Sequence, residues 1–253
     1  MNDIIYGRQP VREVLFAHRR TLQSLMLRDG LRGTPELDEI LRVAASRQVR
    51  ISYVPERQLD DLSEGGHHQG IAVTVSGYPY ASLDEVESRI RKRNEPPLVL
   101  FLDHLHDPQN FGAILRTADA VGAHGIVIPK DRAVEVTPAV VRVSAGASEH
   151  LLIVRVTNLV QTMRQLQDDE GWELAGLEAL PEAQVHTEAH LAGVAGLVVG
   201  SEGKGLGRLV RENCNLLIRL PQFGGTSSLN AASATAVALF EMRRQRAGAP
   251  APR

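Results

Sequence analysis

At 253 residues the chain suits one large domain or two of ordinary size, with enough length to bury a core unaided by staples. Its single cysteine, Cys214, excludes an internal disulfide framework and a cysteine-rich metal site and fits a reducing cytoplasm, while a net charge of -2 argues against a uniformly basic nucleic-acid coat. The start MNDIIYGRQPVREV lacks an apolar signal core and no apolar stretch approaches the roughly 18 to 20 residues of a bilayer span, so a soluble, cytoplasmic chain with no membrane partner is expected.

The first elements alternate. Helical periodicity covers 8–19 and 36–48, and short β-rich runs cover 22–27, 51–54 and 71–75. Together they read as a small α/β module, residues 1–76. Residues 1–58 carry ten Arg against seven acidic residues, and only Lys92, Lys130 and Lys204 of the 28 basic residues are lysines. Guanidinium forks suit phosphate, although an Arg-biased genome would leave the same signature. Residues 77–96 read as a linker, in which Ser82 begins a charged helical segment that Pro96 and Pro97 stop.

A second α/β unit, residues 97–253, starts at LVLFLDHL, a run apolar enough for a strand buried on both faces. Further runs at 125–128, 151–154, 172–177, 196–199 and 216–220 alternate with helix-like segments, the pattern of a mostly parallel sheet covered by helices. The tail AGAPAPR is expected to be disordered.

Three segments of this unit can carry chemistry. In LDHLHDPQNFGAILRTADAVG a strand and an Asp107-Pro108 turn lead into a helix from about Gln109 to Val121, with Asn110 at its open end and Arg116 about two turns on. Exposed amides there hold anions, and Arg116 offers a bidentate fork to phosphate. The simpler alternative is a turn residue and a solvated arginine. In LVVGSEGKGLGRLV a buried strand enters a Gly-rich loop. Lys204-Gly205 lacks the Walker A spacing. Gly203, Gly205 and Gly207 match a Rossmann-type G-x-G-x-G, but the next strand ends in Pro221 and Gln222 instead of the acidic residue that fold needs. In LIRLPQFGGTSSLNAASATAVALF, Thr226, Ser227 or Ser228 is expected to cap a long helix with Asn230, a poor helix former, in its first turn.

Other groupings have simpler explanations. His186 and His190 have zinc-ligand spacing, but the zincin order is absent. Asp103, His104, His106 and Asp107 could gather a cation, although the two histidines suit ordinary strand-end positions. Cys214 lacks a catalytic partner and reads as a small buried hydrophobe. No metal is expected. A pure RNA-binding module would leave the Gly loops without a role, and a dinucleotide enzyme fails at Pro221 and Gln222.

Taken in order, N-x-G-x-I-x-R after a strand, a strand ending GSEG, and a strand ending LP followed by SSLN resemble motifs 1, 2 and 3 of the SpoU/TrmH-class RNA ribose 2′-O-methyltransferases of the SPOUT superfamily. IVIPKDRAVEVTP, IVRVTNLVQTMRQLQ and HHQGIAV extend the likeness toward the bacterial branch that methylates guanosine in 23S ribosomal RNA. The resemblance implies an L30e-like RNA substrate-binding domain followed by a SPOUT α/β domain with a deep trefoil knot, a homodimer, ribosomal RNA as substrate and S-adenosylmethionine as methyl donor. It implies catalytic roles for Arg116, Asn110, Glu202, Ser228 and Asn230. Cofactor contacts would fall on Gly200, Leu220 and Leu229, with Ser201, Gly203, Ile218 and Gln222 nearby.

Overall fold

The computed structural model describes residues 2–225 and 228–248; Thr226, Ser227 and 249–253, which include two of the expected caps and most of the tail, lie outside them. The first unit comprises the residues up to Pro79 together with Glu135–His150. Its elements are β1 (Asn2–Tyr6), α1 (Arg8–Ala17), β2 (Leu22–Arg28), α2 (Pro35–Ser46), β3 (Arg50–Val54), α3 (Glu56–Leu62) and β4 (Ile71–Ser76). The sheet order is β1-β4-β2-β3: β4 runs antiparallel to β1 and β2, and β2 runs parallel to β3.

Local chemistry accounts for the boundaries. Thr34 accepts the Leu37 amide at 3.3 Å and Pro35 opens α2 at its first position. Helix α1 ends at Ala17, two residues before the apolar periodicity does, because His18 turns left-handed at φ 53°.

Helix α6 (Pro138–Val143) and the short turn after it belong to this unit although they follow the expected linker: α6 packs on β1, and the turn packs on α1. Arg20 secures them, donating through two nitrogens to Glu149 at 2.8 and 2.9 Å and to Asp3 at 2.7 Å. Both the Arg20 and Glu149 side chains are 0% exposed. Neither charge could remain there without the other.

The second unit, Tyr80–Val134 with the chain from Leu151 on, opens with α4 (Leu83–Arg93). This helix was read as part of a linker, but Val86 is fully buried in the unit's core and Leu83 and Ile90 pack against it. A capping box starts it: the Ser82 hydroxyl accepts the Glu85 amide at 3.3 Å, and the Glu85 carboxylate accepts the Ser82 amide at 2.7 Å. There follow β5 (Val99–Leu102), α5 (Pro108–Ala120), β6 (Gly125–Pro129), β7 (Ile153–Val156), α7 (Leu159–Glu170), β8 (Leu174–Leu177), β9 (Gln184–Val185), β10 (Gly196–Val199), α8 (Arg208–Glu212), β11 (Leu216–Arg219) and α9 (Ala231–Gly248).

The sheet order is β7-β6-β5-β10-β8-β11-β9, every pairing parallel. Every residue of β5, β6 and β10 is buried, as a parallel sheet covered on both faces requires. From β5 the chain winds outward through β6 and β7, crosses to β8, and later inserts β10 between β5 and β8. The C-terminal ends of β5, β8, β10 and β11 therefore release their loops side by side, at the point where the winding direction reverses and open α/β sheets bind ligands.

Candidate active site

The loop after β10 is the centre of the site. Gly203 and Gly205 take φ values of 76° and 64°, and the Gly205 amide donates to the Ser201 carbonyl at 3.0 Å, closing a tight turn. A Cβ on Gly200 would lie 2.1 Å from the Gly205 carbonyl carbon and 2.4 Å from the Leu206 nitrogen. The turn thus closes on Gly200, where only a glycine fits. These glycines serve the turn, which explains why their spacing imitates a Rossmann-type fingerprint without its acidic partner.

Two carboxylates from neighbouring strand ends fasten the loop. Glu178, just after β8, accepts the Leu206 amide at 2.5 Å, and Asp103, just after β5, accepts the Gly207 amide at 2.7 Å. Asp103 also pairs with His104 Nδ1 at 2.5 Å. Neither anchoring role was read from the sequence; the only signal was position, an acidic residue directly after a buried strand. Cys214 packs against the same core, and burial, with Glu178 and Asp103 nearby, pushes its thiol up to about 12, so it is no nucleophile.

Helix α5 presents Asn110 to this loop. It begins at Pro108, and Asp107 caps it by accepting the Gln109 and Asn110 amides at 3.0 and 3.2 Å. The Asn110 side chain donates to Asp107 at 2.8 Å and to Glu202 in a short contact. Helix α9 supplies the third member. The sequence placed Asn230 inside the first turn under a serine or threonine cap, but α9 starts at Ala231 and Asn230 itself accepts the Ala232 and Ser233 amides at 2.9 and 3.1 Å. Its Nδ2 then donates to Asn110 Oδ1 at 2.6 Å and to Glu202 Oε1 at 3.3 Å. A poor helix former is well suited to the cap.

Beside this triad lies a cavity of about 450 Å³, bounded by the loops after β8, β10 and β11 and the start of α9. Of the expected cofactor residues, Gly200, Ser201, Gly203, Leu220, Gln222 and Leu229 line it, as do Glu202, Ser228 and Asn230; Lys204 and Gly205, named in the sequence only for motifs that fail, line it too, and Leu177, Glu178 and Ala179 are lining residues that the sequence did not single out. Ile218 is not on the wall: it is buried in β11, and its carbonyl accepts the Glu178 amide at 2.9 Å. Arg116 lies exposed on α5, six residues past Asn110 or about 9 Å along the axis, and among the described residues it pairs with none of the triad. A second cavity of about 570 Å³ shares Ser201, Glu202, Lys204 and Gly205 with the first.

Residues 97–240 match the SpoU rRNA Methylase family, and residues 4–81 match the RNA 2′-O ribose methyltransferase substrate binding family. The chain is 40% identical over 245 residues to YacO of Bacillus subtilis, assigned to the TrmH family of tRNA/rRNA methyltransferases, covering 97% of this chain and 96% of that one. It is 39% identical over 242 residues to the 23S rRNA (guanosine-2′-O-)-methyltransferase RlmB of Pseudomonas putida, with 96% of each covered. Among solved structures, the SpoU methyltransferase AviRb of Streptomyces viridochromogenes in complex with AdoMet superposes with a TM-score of 0.80 at 25% identity, over 98% of this chain and 92% of that one.

Proposed function

The chain belongs to the SpoU rRNA methylase family, and from that membership we propose that it transfers a methyl group from S-adenosylmethionine to the ribose 2′-hydroxyl of a guanosine in 23S ribosomal RNA. The coarser activity, S-adenosylmethionine-dependent 2′-O-methylation of tRNA or rRNA, is that of the family. The observation that carries the reading is the Asn110–Glu202–Asn230 triad, two members of which, Glu202 and Asn230, line a cavity formed by the loops after β8, β10 and β11. At about 450 Å³ the cavity suits a cofactor of S-adenosylmethionine's size, and a Cβ at Gly200 would be stopped by backbone.

When bound, S-adenosylmethionine supplies a methyl group on a sulfonium, already an excellent leaving group, so positioning carries much of the acceleration. Gly200, Leu220 and Leu229 would hold it through backbone contacts, with Ser201, Gly203 and Gln222 adjacent; Ile218 would act only by supporting Glu178. Glu202 takes both asparagine donors on Oε1, leaving Oε2 to orient the ribose hydroxyls. Ser228 lies on the same wall. Arg116, permanently charged, would clamp the substrate phosphate and stabilise the charge growing on the 2′-oxygen, the proton passing to that phosphate or to water.

The remaining assignments follow the same line. The L30e-like unit would carry RNA recognition, the threading of the chain after β11 past the 200–207 loop would form the trefoil knot, and a homodimer would pack through α5 and α9. In support of the last, Val237 and Phe240 stand 43% and 56% exposed on α9, one turn apart. Ribose methylation mapped across 23S rRNA and tRNA, in a deletion strain and its complemented parent, tests the proposal. A single guanosine of 23S rRNA losing its methyl group is the expected result; loss confined to tRNA would replace the substrate, and no loss anywhere would remove the activity.

A further inference from the structure

Beyond the cofactor cavity, the second cavity does not end at the loop. It shares Asp103, His104 and Arg132 with a third, of about 460 Å³, so that one groove runs from the Glu202 wall across the C-terminal ends of β5, β6 and β7. Its Glu202 end lies at the crevice between β5 and β10, where the winding direction of the sheet reverses. We propose that this groove holds the RNA strand around the acceptor nucleotide, with Arg132 gripping a backbone phosphate and the rings of His104 and His106 serving as stacking surfaces for bases. The assignment rests on the RNA methyltransferase reading above and adds residues that none of the three sequence motifs contains.

The charge inventory supports an anionic polymer. Three carboxylates along the groove are engaged by the protein's own donors: Asp103 by His104 and the Gly207 amide, Asp107 by the start of α5, Glu202 by Asn110 and Asn230. Asp131 is the remaining carboxylate. Arg132 and Lys204 are exposed and enter no hydrogen bond or ion pair among the described residues. A guanidinium with an unengaged fork is suited to phosphate.

Backbone geometry supports the same residues. His104 and Arg132 both take φ 54°, a left-handed conformation that non-glycine residues seldom adopt and whose cost the surrounding structure must offset. The ring of His104 is braced by Asp103 yet exposed, and His106 is exposed beside it. Single-stranded RNA is read largely by stacking on such rings and on guanidinium planes. The two joined cavities extend from the Glu202 wall to Asn158 beyond β7, the length along which a polymer can lie.

The test uses the full chain saturated with S-adenosylhomocysteine and filter binding to unmodified 23S rRNA and tRNA transcripts over a salt series. Asparagine tolerates the left-handed backbone, so Arg132→Asn and His104→Asn alter the side chains with little strain. For Arg132→Asn, the dissociation constant should rise about fivefold or more at low salt, and the slope of log affinity against log salt should fall by about one. For His104→Asn, affinity should fall about tenfold with the slope unchanged. Affinity for S-adenosylhomocysteine should stay within twofold of the parent in both. RNA binding by both variants with the parent's constant and slope would overturn the groove assignment and leave the methyltransferase reading intact. Loss of S-adenosylhomocysteine affinity would likewise overturn it, by returning these residues to the cofactor loop. A parent chain that binds S-adenosylhomocysteine but neither RNA would bring down both together.

Discussion

A carboxamide carries an acceptor and a donor on one side chain, and Asn230 uses both, capping α9 through Oδ1 while Nδ2 reaches Asn110 and Glu202. Arg116 is the contrasting case, since among the described residues no hydrogen bond or ion pair holds it and its proposed role depends on the substrate. Arg116→Ala should leave S-adenosylmethionine affinity nearly unchanged and lower single-turnover methylation by two to three orders of magnitude, about 3 to 4 kcal/mol. Arg116→Lys should rescue little, because an ammonium lacks the planar fork. Near-parental rates in both variants, with RNA and cofactor saturating, would make Arg116 a solvated surface residue. His124 offers a separate test. It is 0% exposed, its Nδ1 accepts the Leu98 amide at 3.1 Å, and its pKa is lowered from 6.5 to about 4, first by burial and then by Arg93, with Arg243 and Arg246 adding and Glu95 opposing. Because the fold favours the neutral ring, this stabilisation is complete above pH 6.5 and is lost as pH falls toward 4. Between pH 7.5 and 5 it amounts to about 2 kcal/mol. His124→Asn keeps an acceptor without the titration, so urea unfolding should show a correspondingly smaller loss over that interval; identical losses would exclude His124 as the source.

At the scale of an element, the loop from Gly200 to Gly207 is held at both flanks, by Glu178 from β8 and by Asp103 from β5, and so cannot widen cheaply. Gly200→Ala would force a Cβ to within 2.1 Å of the Gly205 backbone. Relaxing such a clash costs about 1 to 3 kcal/mol, which should appear as a roughly tenfold or greater loss of S-adenosylmethionine affinity by calorimetry, because the backbone that moves is the cavity wall. Far-ultraviolet circular dichroism should be unchanged. Parental affinity in Gly200→Ala would show that the wall does not contact the cofactor.

For the molecule as a whole, the proposed homodimer would use the exposed Val237 and Phe240 on α9. Sedimentation should give about 55 kDa, twice the 27.6 kDa chain. Phe240→Asp should shift the population toward monomer and lower turnover. A full-length chain that sediments as an active monomer would remove the dimer from the proposal.

Composition, apolar periodicity and glycine placement were sufficient for most of the alternating strands and helices, though not for β1, α3 or β9, for the buried parallel character of β5 and β10, and for the ordered motifs around Asn110, Gly200 and Asn230. These features are set by burial alternation and hydrogen bonds within a few residues, so they are legible locally. What meets what was decided only by the tertiary structure. Asn110 and Glu202 are 92 positions apart, and Asp103 and Gly207 are 104 apart; they come together because β10 inserts beside β5. Arg20 and Glu149 are 129 apart, and their pairing draws Glu135–His150 into the first unit, where no local pattern would put it. Such partnerships depend on strand order, and strand order is settled by the packing of whole elements, which no window of sequence contains.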